Sequence, residues 1–184
     1  MSVSPDFRHL LLRVPQRNTS IEELAQDELK LAGMRFSPQT LAPGRNIRFT
    51  DLSLMRYPEL ETVAIHGLPA NPRILSTAWS PDGSRIAFTN ETPSGVELWI
   101  IDAESAEAKR LIGAVISLTA NEWPEWLSDG SGIICCIVPE DHGEPPIENP
   151  VPQGPVIQQT TGAEAPSRTY QDLLENPYDE ALFE

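Results

Sequence analysis

The sequence predicts an all-β fold: an incomplete β-propeller of about three blades of antiparallel strands, with one inserted helix, an extended Pro-rich connector and a short C-terminal helix. Three observations predict it. A strand-forming phrase recurs three times, its last two copies stand one blade apart, and the segments between copies read as short strands joined by tight turns.

The first copy is Ser4-Pro5-Asp6-Phe7-Arg8-His9 before Leu10-Leu11-Leu12. The second is Trp79-Ser80-Pro81-Asp82-Gly83-Ser84-Arg85 before Ile86-Ala87-Phe88, and a worn third is Trp126-Leu127-Ser128-Asp129-Gly130-Ser131-Gly132 before residues 133–138. Pro presets φ, Asp caps the turn through its carboxylate, and Gly accepts φ > 0, so each copy reads as the joint between two antiparallel strands. Trp79 and Trp126 are 47 residues apart. That interval matches one four-stranded blade and favours radial repetition over a sandwich or a βαβ fold. A blade takes roughly 40–50 residues, so only about three fit in this chain.

Residues 1–16 read as a turn and one strand, with Leu10, Leu12 and Val14 on one face, Leu11 and Arg13 on the other, and Pro15 as the stop. Ser20 then reads as an N-cap with Glu23 three residues on. Leu24, Ala25, Glu28, Leu29, Leu31 and Ala32 fill a helical stretch ended by Gly33. A helical insertion over residues 19–33 is therefore expected, and it accounts for a first interval of 76 residues against the later 47.

Short strands at 47–54 and 61–65 complete the first predicted blade. The second blade has strands at 74–79, 85–89, 96–102 and 109–112, with reversals at Thr92-Pro93-Ser94-Gly95 and Ala103-Glu104-Ser105-Ala106. The third begins at 118–126 and continues through 133–138. The partial propeller thus occupies residues 1–138. Pro139, Pro145, Pro146, Pro150, Pro152 and Pro155 forbid a central strand, so residues 139–184 read as an extended connector and an acidic tail leading into further propeller outside this chain. In the tail, Tyr170, Leu173, Leu174, Tyr178, Leu182 and Phe183 make an interrupted helical pattern, with a short amphipathic helix expected at 170–174.

The net charge of −14, with Lys30 and Lys109 the only lysines, argues against a nucleic-acid partner, whose phosphates need Lys and Arg. Lys30, Arg35, Arg45, Arg48 and Arg56 are scattered and read as a solvated surface. No apolar run is long enough to span a bilayer, and no secretory signal pattern opens the chain, so no membrane partner is expected and the compartment stays open. Cys135 and Cys136 are neighbours on a predicted strand, where side chains alternate, and read as two small hydrophobes on opposite faces.

No catalytic, cofactor-binding or metal-binding residue is predicted, and no cofactor. The Gly-x-Ser-x-Gly elbow of serine hydrolases is absent, and Gly130-Ser131-Gly132 is too tightly spaced to be one. His9, His66 and His142 have no nucleophile tied to them and read as surface or turn residues. Asp141, His142 and Glu144 lack a second pair of ligands at useful spacing. Neither phosphate-loop fingerprint can be written on the glycines. Asp82 and Asp129 read as turn caps, and Trp79, Trp99, Trp123 and Trp126 as filling between blades.

Several phrases carry a resemblance. They are Glu22-Glu23-Leu24-Ala25 through Glu28-Leu29-Lys30-Leu31-Ala32-Gly33-Met34-Arg35, Trp79-Ser80-Pro81-Asp82-Gly83, Val151-Pro152-Gln153-Gly154-Pro155, and Arg168-Thr169-Tyr170-Gln171-Asp172-Leu173-Leu174 with Tyr178-Asp179-Glu180 and Leu182-Phe183. In this order the chain resembles the glutamyl endopeptidases of the prolyl oligopeptidase serine peptidase superfamily, in their N-terminal propeller portion. The resemblance implies a β-propeller followed by an α/β-hydrolase domain that cleaves peptides after glutamate through a Ser-Asp-His triad, with the propeller restricting access to the cavity. It also implies that the triad lies outside this chain, so no catalytic residue is carried onto any position here. The partners it implies are that hydrolase domain and a peptide substrate. The alternative is a stand-alone propeller-like interaction module. A complete small enzyme has no pair of titratable groups set for acid and base work.

Overall fold

The computed structural model describes residues 1–31, 33–44, 46–119, 123–143, 146–147, 162 and 176–182. The strands are β1 (Ser2–Val3), β2 (His9–Pro15), β3 (Leu29–Leu31), β4 (Met34–Phe36), β5 (Phe49–Arg56), β6 (Glu61–Ala64), β7 (Ile74–Trp79), β8 (Arg85–Thr92), β9 (Gly95–Asp102), β10 (Glu107–Ile116), β11 (Glu125–Trp126) and β12 (Ile133–Ile134). Two short helices, α1 (Ile21–Leu24) and α2 (Pro177–Ala181), complete the described elements. The protein is mostly β, and no described helix is long and apolar enough to cross a membrane.

The eight-stranded sheet consists of two antiparallel four-stranded meanders, β1-β2-β5-β6 and β7-β8-β9-β10. The pair Phe49 and Ile74 joins β5 to β7, and a parallel bridge between His66 and Glu107 ties the segment after β6 to β10. The β8–β9 ladder of the second meander is unbroken and its connections are short: Thr92 pairs with Gly95 across Pro93-Ser94, and Asp102 caps the next reversal by accepting from the Glu104 and Ser105 amides. β11 and β12 form a separate two-residue ladder.

The three phrases fold alike. Ser4 N donates to the His9 carbonyl at 2.8 Å, as Ser80 N does to Arg85 at 2.8 Å and Leu127 N to Gly132 at 2.9 Å. Asp6, Asp82 and Asp129 cap these turns by accepting the amides of Arg8, Ser84 and Ser131. Ser4 and Ser80 also donate their hydroxyls to Asp6 and Asp82 at 2.6 Å. Leu127 has no hydroxyl, and in the third turn the Ser131 hydroxyl donates to Asp129 instead, at 2.7 Å. The left-handed position is Phe7, Gly83 or Gly130, with φ of 61°, 75° and 70°.

The second meander is covered on both faces. On one side Ile74, Ile86, Phe88 and Ile101 pack against Leu11, Leu52 and Leu54 of the first meander. On the other, Leu75, Ala87, Val96, Leu98 and Ile116 pack with Ala42 of the segment between β4 and β5, and Trp126 and Ile133 lie against them. Both faces of β8 and β9 are therefore buried, unlike a sheet with one wet face, and each fully buried Leu, Ile or Phe stabilises by roughly 1.5–3 kcal/mol.

The insertion differs from the sequence expectation. Ser20 caps α1 and accepts from Glu23 N as predicted, but the helix ends after one turn and β3 and β4 follow as a hairpin. The helix over 19–33 is thus replaced by a turn and two strands. None of the residues of α1 is buried, so no packing sustains a longer helix, and a single turn is costly to nucleate. Leu29, Lys30 and Leu31 alternate instead against Met34, Arg35 and Phe36, and Gly33, read as a helix stop, serves the hairpin turn at φ 81°.

In the third unit, where residues 120–122 lie outside the described residues, the described parts of the strands expected at 118–126 and 133–138 form β11 and β12, with a further bridge between Ile116 and Ile137. Ser117 N and Val138 N donate to the Cys136 and Val115 carbonyls, so the end of β10 takes part of the pairing expected within the third blade. Most of the Pro-rich connector and the helix expected at 170–174 lie outside the described residues. In the tail, α2 begins at Pro177 under an Asn176 cap.

Candidate functional site

The strongest concentration of buried titratable groups lies where the insertion meets the end of β8. Glu91, near the C-terminal end of β8, is buried, and so is Arg48, which enters β5. Arg48 Nε donates to Glu91 Oε2 at 2.6 Å, and its other nitrogens donate to the Asn46 and Pro43 carbonyls. Arg73, just before β7, donates to Glu91 Oε2 through Nη2 at 3.1 Å. Thr40 Oγ1 donates to Glu91 Oε1 at 3.1 Å, so both carboxylate oxygens are satisfied.

Glu23 of α1 adds the second acid. Its Oε1 lies 2.7 Å from Arg73 Nη2 and 4.0 Å from Arg48 Nε, and Gln16 Nε2 donates to Oε2 at 2.8 Å. The Asn90 side chain carries the network onward: its Oδ1 accepts from Arg73 N at 2.9 Å and its Nδ2 donates to Glu97 at 3.4 Å. Glu97 in turn accepts from Trp99 Nε1 and Arg110 Nη1, both at 2.8 Å.

Two carboxylates and two guanidiniums balance in the first cluster. Burial opposes ionisation of Glu91, but the hydrogen bond from Arg48 and the charges of Arg48 and Arg73 outweigh it and hold the carboxyl below its usual range. Glu23 follows the same pattern: burial is outweighed by the Gln16 and Arg73 hydrogen bonds. For Arg73, the loss of hydration is outweighed by Glu23 and Glu91, which raise its pKa further. Glu23, Glu91 and Arg73 are thereby held in their charged forms near neutrality. An acid–base catalyst needs a group poised near the working pH, so this arrangement clasps segments together and does not transfer protons.

The residues weighed from sequence fall elsewhere. Ser131 Oγ is bound to the Asp129 carboxylate within the third turn. His142 is exposed in a turn, and His66 is exposed beside Glu107. His9, read as a surface or turn residue, closes the first turn at the start of β2 and is buried, stacking on Trp79 with centroids 6.5 Å apart. Among the described residues no group of three His, Cys, Asp or Glu side chains is placed to hold a metal ion, and Glu144 lies outside them. Cys135 and Cys136 form no disulfide with each other, and burial raises the pKa of Cys135.

Two of the tryptophans join successive units. Trp79 Nε1 donates to Ser2 Oγ at 3.2 Å across the first meander's edge, and Trp126 Nε1 donates to the Ala78 carbonyl at 3.1 Å. Trp99 instead stacks on Phe88 within the second meander. The buried clasp was not read from sequence. Arg48 was grouped with solvated cations, whereas its charge is buried against Glu91; the available signal was Asn90-Glu91 and Glu97 interrupting otherwise apolar strands.

No family model matches the chain. It is 32% identical over 197 aligned residues to the probable chloroplastic glutamyl endopeptidase of Oryza sativa subsp. japonica, a match covering 100% of this chain and 21% of that protein. It is 31% identical over 199 aligned residues to the protein of the same name from Arabidopsis thaliana, covering 100% of this chain and 20% of the relative. The chain spans about a fifth of the length of these curated relatives. This whole-chain match identifies the chain as a relative of the glutamyl endopeptidases over that fifth of their length.

Proposed function

We propose that this chain is the N-terminal β-propeller portion of a glutamyl endopeptidase of the prolyl oligopeptidase type, which gates and admits peptide substrate to a catalytic domain and carries none of the catalytic triad. Residues 1–138 form the opening blades in this reading, and residues 139–184 connect to the next. The peptide-cleaving chemistry belongs to an α/β-hydrolase domain, the partner of this portion.

The observation that carries the reading is the recurrence of one inter-unit contact. His9, the last residue of the first phrase, packs on Trp79 of the second, and Arg85, in the equivalent place, packs on Trp126 of the third. Repetition of one contact from unit to unit is what radial stacking requires, and the second meander, covered on both faces, sits as an inner blade would. The names of the relatives supply the peptidase half of the reading.

The test is to translate the DNA that follows codon 184 and to express the joined product. A following Gly-x-Ser-x-Gly elbow, then Asp and His, with cleavage of glutamyl peptides lost on replacing that Ser, is the expected result. A following sequence with no hydrolase pattern, or a joined protein that cleaves no glutamyl peptide, overturns the reading.

A further inference from the structure

We propose that Arg48 and Arg73 form a carboxylate-binding site that the chain fills itself with Glu23, so that α1 is a displaceable strap and a carboxylate ligand is what displaces it. The inference is independent of the peptidase reading.

The two arginines are held without Glu23. Arg48 is fixed by Glu91 and by the Asn46 and Pro43 carbonyls, and Arg73 by Glu91. The backbone of Arg73 is bound to Asn90 Oδ1 and to Glu91 N. Removing Glu23 therefore leaves a formed site. Among its described residues that site would hold two guanidinium charges against the single carboxylate of Glu91, with Thr40 and Gln16 neutral. An uncompensated guanidinium in a site this buried is costly, so an anion is drawn in. Arg73 is 34% exposed at its side chain, which leaves a route to it.

The strap has little else to hold it. None of the residues of α1 is buried, and its apolar members Ile21 and Leu24 are 85% and 74% exposed. Glu23 is the one residue of the helix turned inward, and it delivers its carboxylate to Arg73 at 2.7 Å. By contrast, the segment between β4 and β5 is anchored in the core through Ala42. The geometry thus separates a fixed segment between β4 and β5 from a strap tied down through the Glu23 carboxylate, and the chemistry of that group sets the ligand class: a carboxylate on a flexible stem, whether free or on a polypeptide. A planar guanidinium suits a carboxylate geometrically and not merely as a charge.

Chemical rescue tests this in the 184-residue chain. The thermal midpoint is measured for wild type, Glu23→Ala and Glu23→Ala/Arg73→Ala, with acetate, N-acetylglutamyl amide, N-acetylglutaminyl amide or chloride at matched ionic strength. At tenfold excess over the dissociation constant, a carboxylate should raise the Glu23→Ala midpoint by about 3 °C beyond its effect on the other two proteins. Rescue by acetate identifies a site for a free acid, rescue by N-acetylglutamyl amide alone a site for a peptide side chain. Equal shifts in all three proteins, as general exclusion of acetate would give, overturn the proposal, and so does equal rescue by the neutral amide. A second measurement uses wild type, in case the variants do not fold. Hydrogen exchange at the Leu24 and Ala25 amides, which bond to Ser20 and Ile21, should speed up with the rescuing carboxylate and not with chloride. Unchanged exchange overturns the displaceable strap.

Discussion

The guanidinium carbon of Arg85 lies 4.9 Å above the Trp126 ring, and Arg85 occupies the place in its turn that His9 occupies against Trp79. Arg85 Nη2 also donates to the Gly130 carbonyl at 2.7 Å, so one side chain grips both the tryptophan and the turn of the next unit. Arg85→Ala should therefore cost about 1–3 kcal/mol, the sum of a cation–π contact and a charge-assisted hydrogen bond. Denaturant melts of Arg85→Ala and Arg85→Lys check it. Lysine should recover little, since it cannot lie flat on the ring and reach the carbonyl together.

Phe7 holds the left-handed position that Gly83 and Gly130 hold in the other turns, with φ 61° and the side chain 73% exposed. A bulky L-residue is strained there, so Phe7→Gly should stabilise the protein by about 1 kcal/mol once glycine's extra unfolded-state entropy is subtracted. Gly83→Ala should do the opposite. Its Cβ would lie 2.8 Å from Asp6 Oδ1 and 3.2 Å from Asp6 N, and its φ is 75°, so a loss of about 2 kcal/mol is expected. Urea midpoints of the two variants moving the same way would refute the shared turn geometry.

The turns were legible because their chemistry is local. Ser4, Asp6 and Asp82 form hydrogen bonds within a few residues, so sequence spacing alone places them. The strands of the second meander were legible for a related reason: a run such as Ile86-Ala87-Phe88 between two turn signals leaves no other element to form. The insertion misled because Leu24, Leu29 and Leu31 suit either period, and only tertiary packing separates a helix from a hairpin. The clasp was illegible since Arg48 and Glu91 are brought together by the packing of the segment before β5 on β8, and neither residue signals its partner along the chain.

Glu91 is the acid on which the clasp turns, as it alone accepts from Thr40, Arg48 and Arg73. Glu91→Ala should leave two cations facing Glu23 alone and cost about 3–5 kcal/mol. Replacing Glu91 and Arg48 together with Met and Leu should cost less than Glu91→Ala, because no unpaired charge then remains buried. Equilibrium unfolding of the three proteins decides it, and a double replacement as damaging as the single one would show that the pair contributes more than its own desolvation.

Acidification gives the clasp a signature. Glu23, Glu91 and Glu97 have native pKa values below the ordinary 4.5 of the unfolded chain, so between the two values the unfolded chain binds more protons. Stability from these groups is thus fully present above about pH 5.5 and is lost as pH falls through 4.5 and on through the native values. Asp82, lowered to about 2 by the Ser80 and Ser84 hydrogen bonds, extends the loss to the acid end. In Glu91→Gln the residue no longer titrates, so the variant should lie well below wild type at pH 7 and approach it as the pH falls toward 3. Two curves that run parallel over that range would mean that Glu91 gains nothing from being ionised in the fold, and the charge-balanced clasp would have to be abandoned.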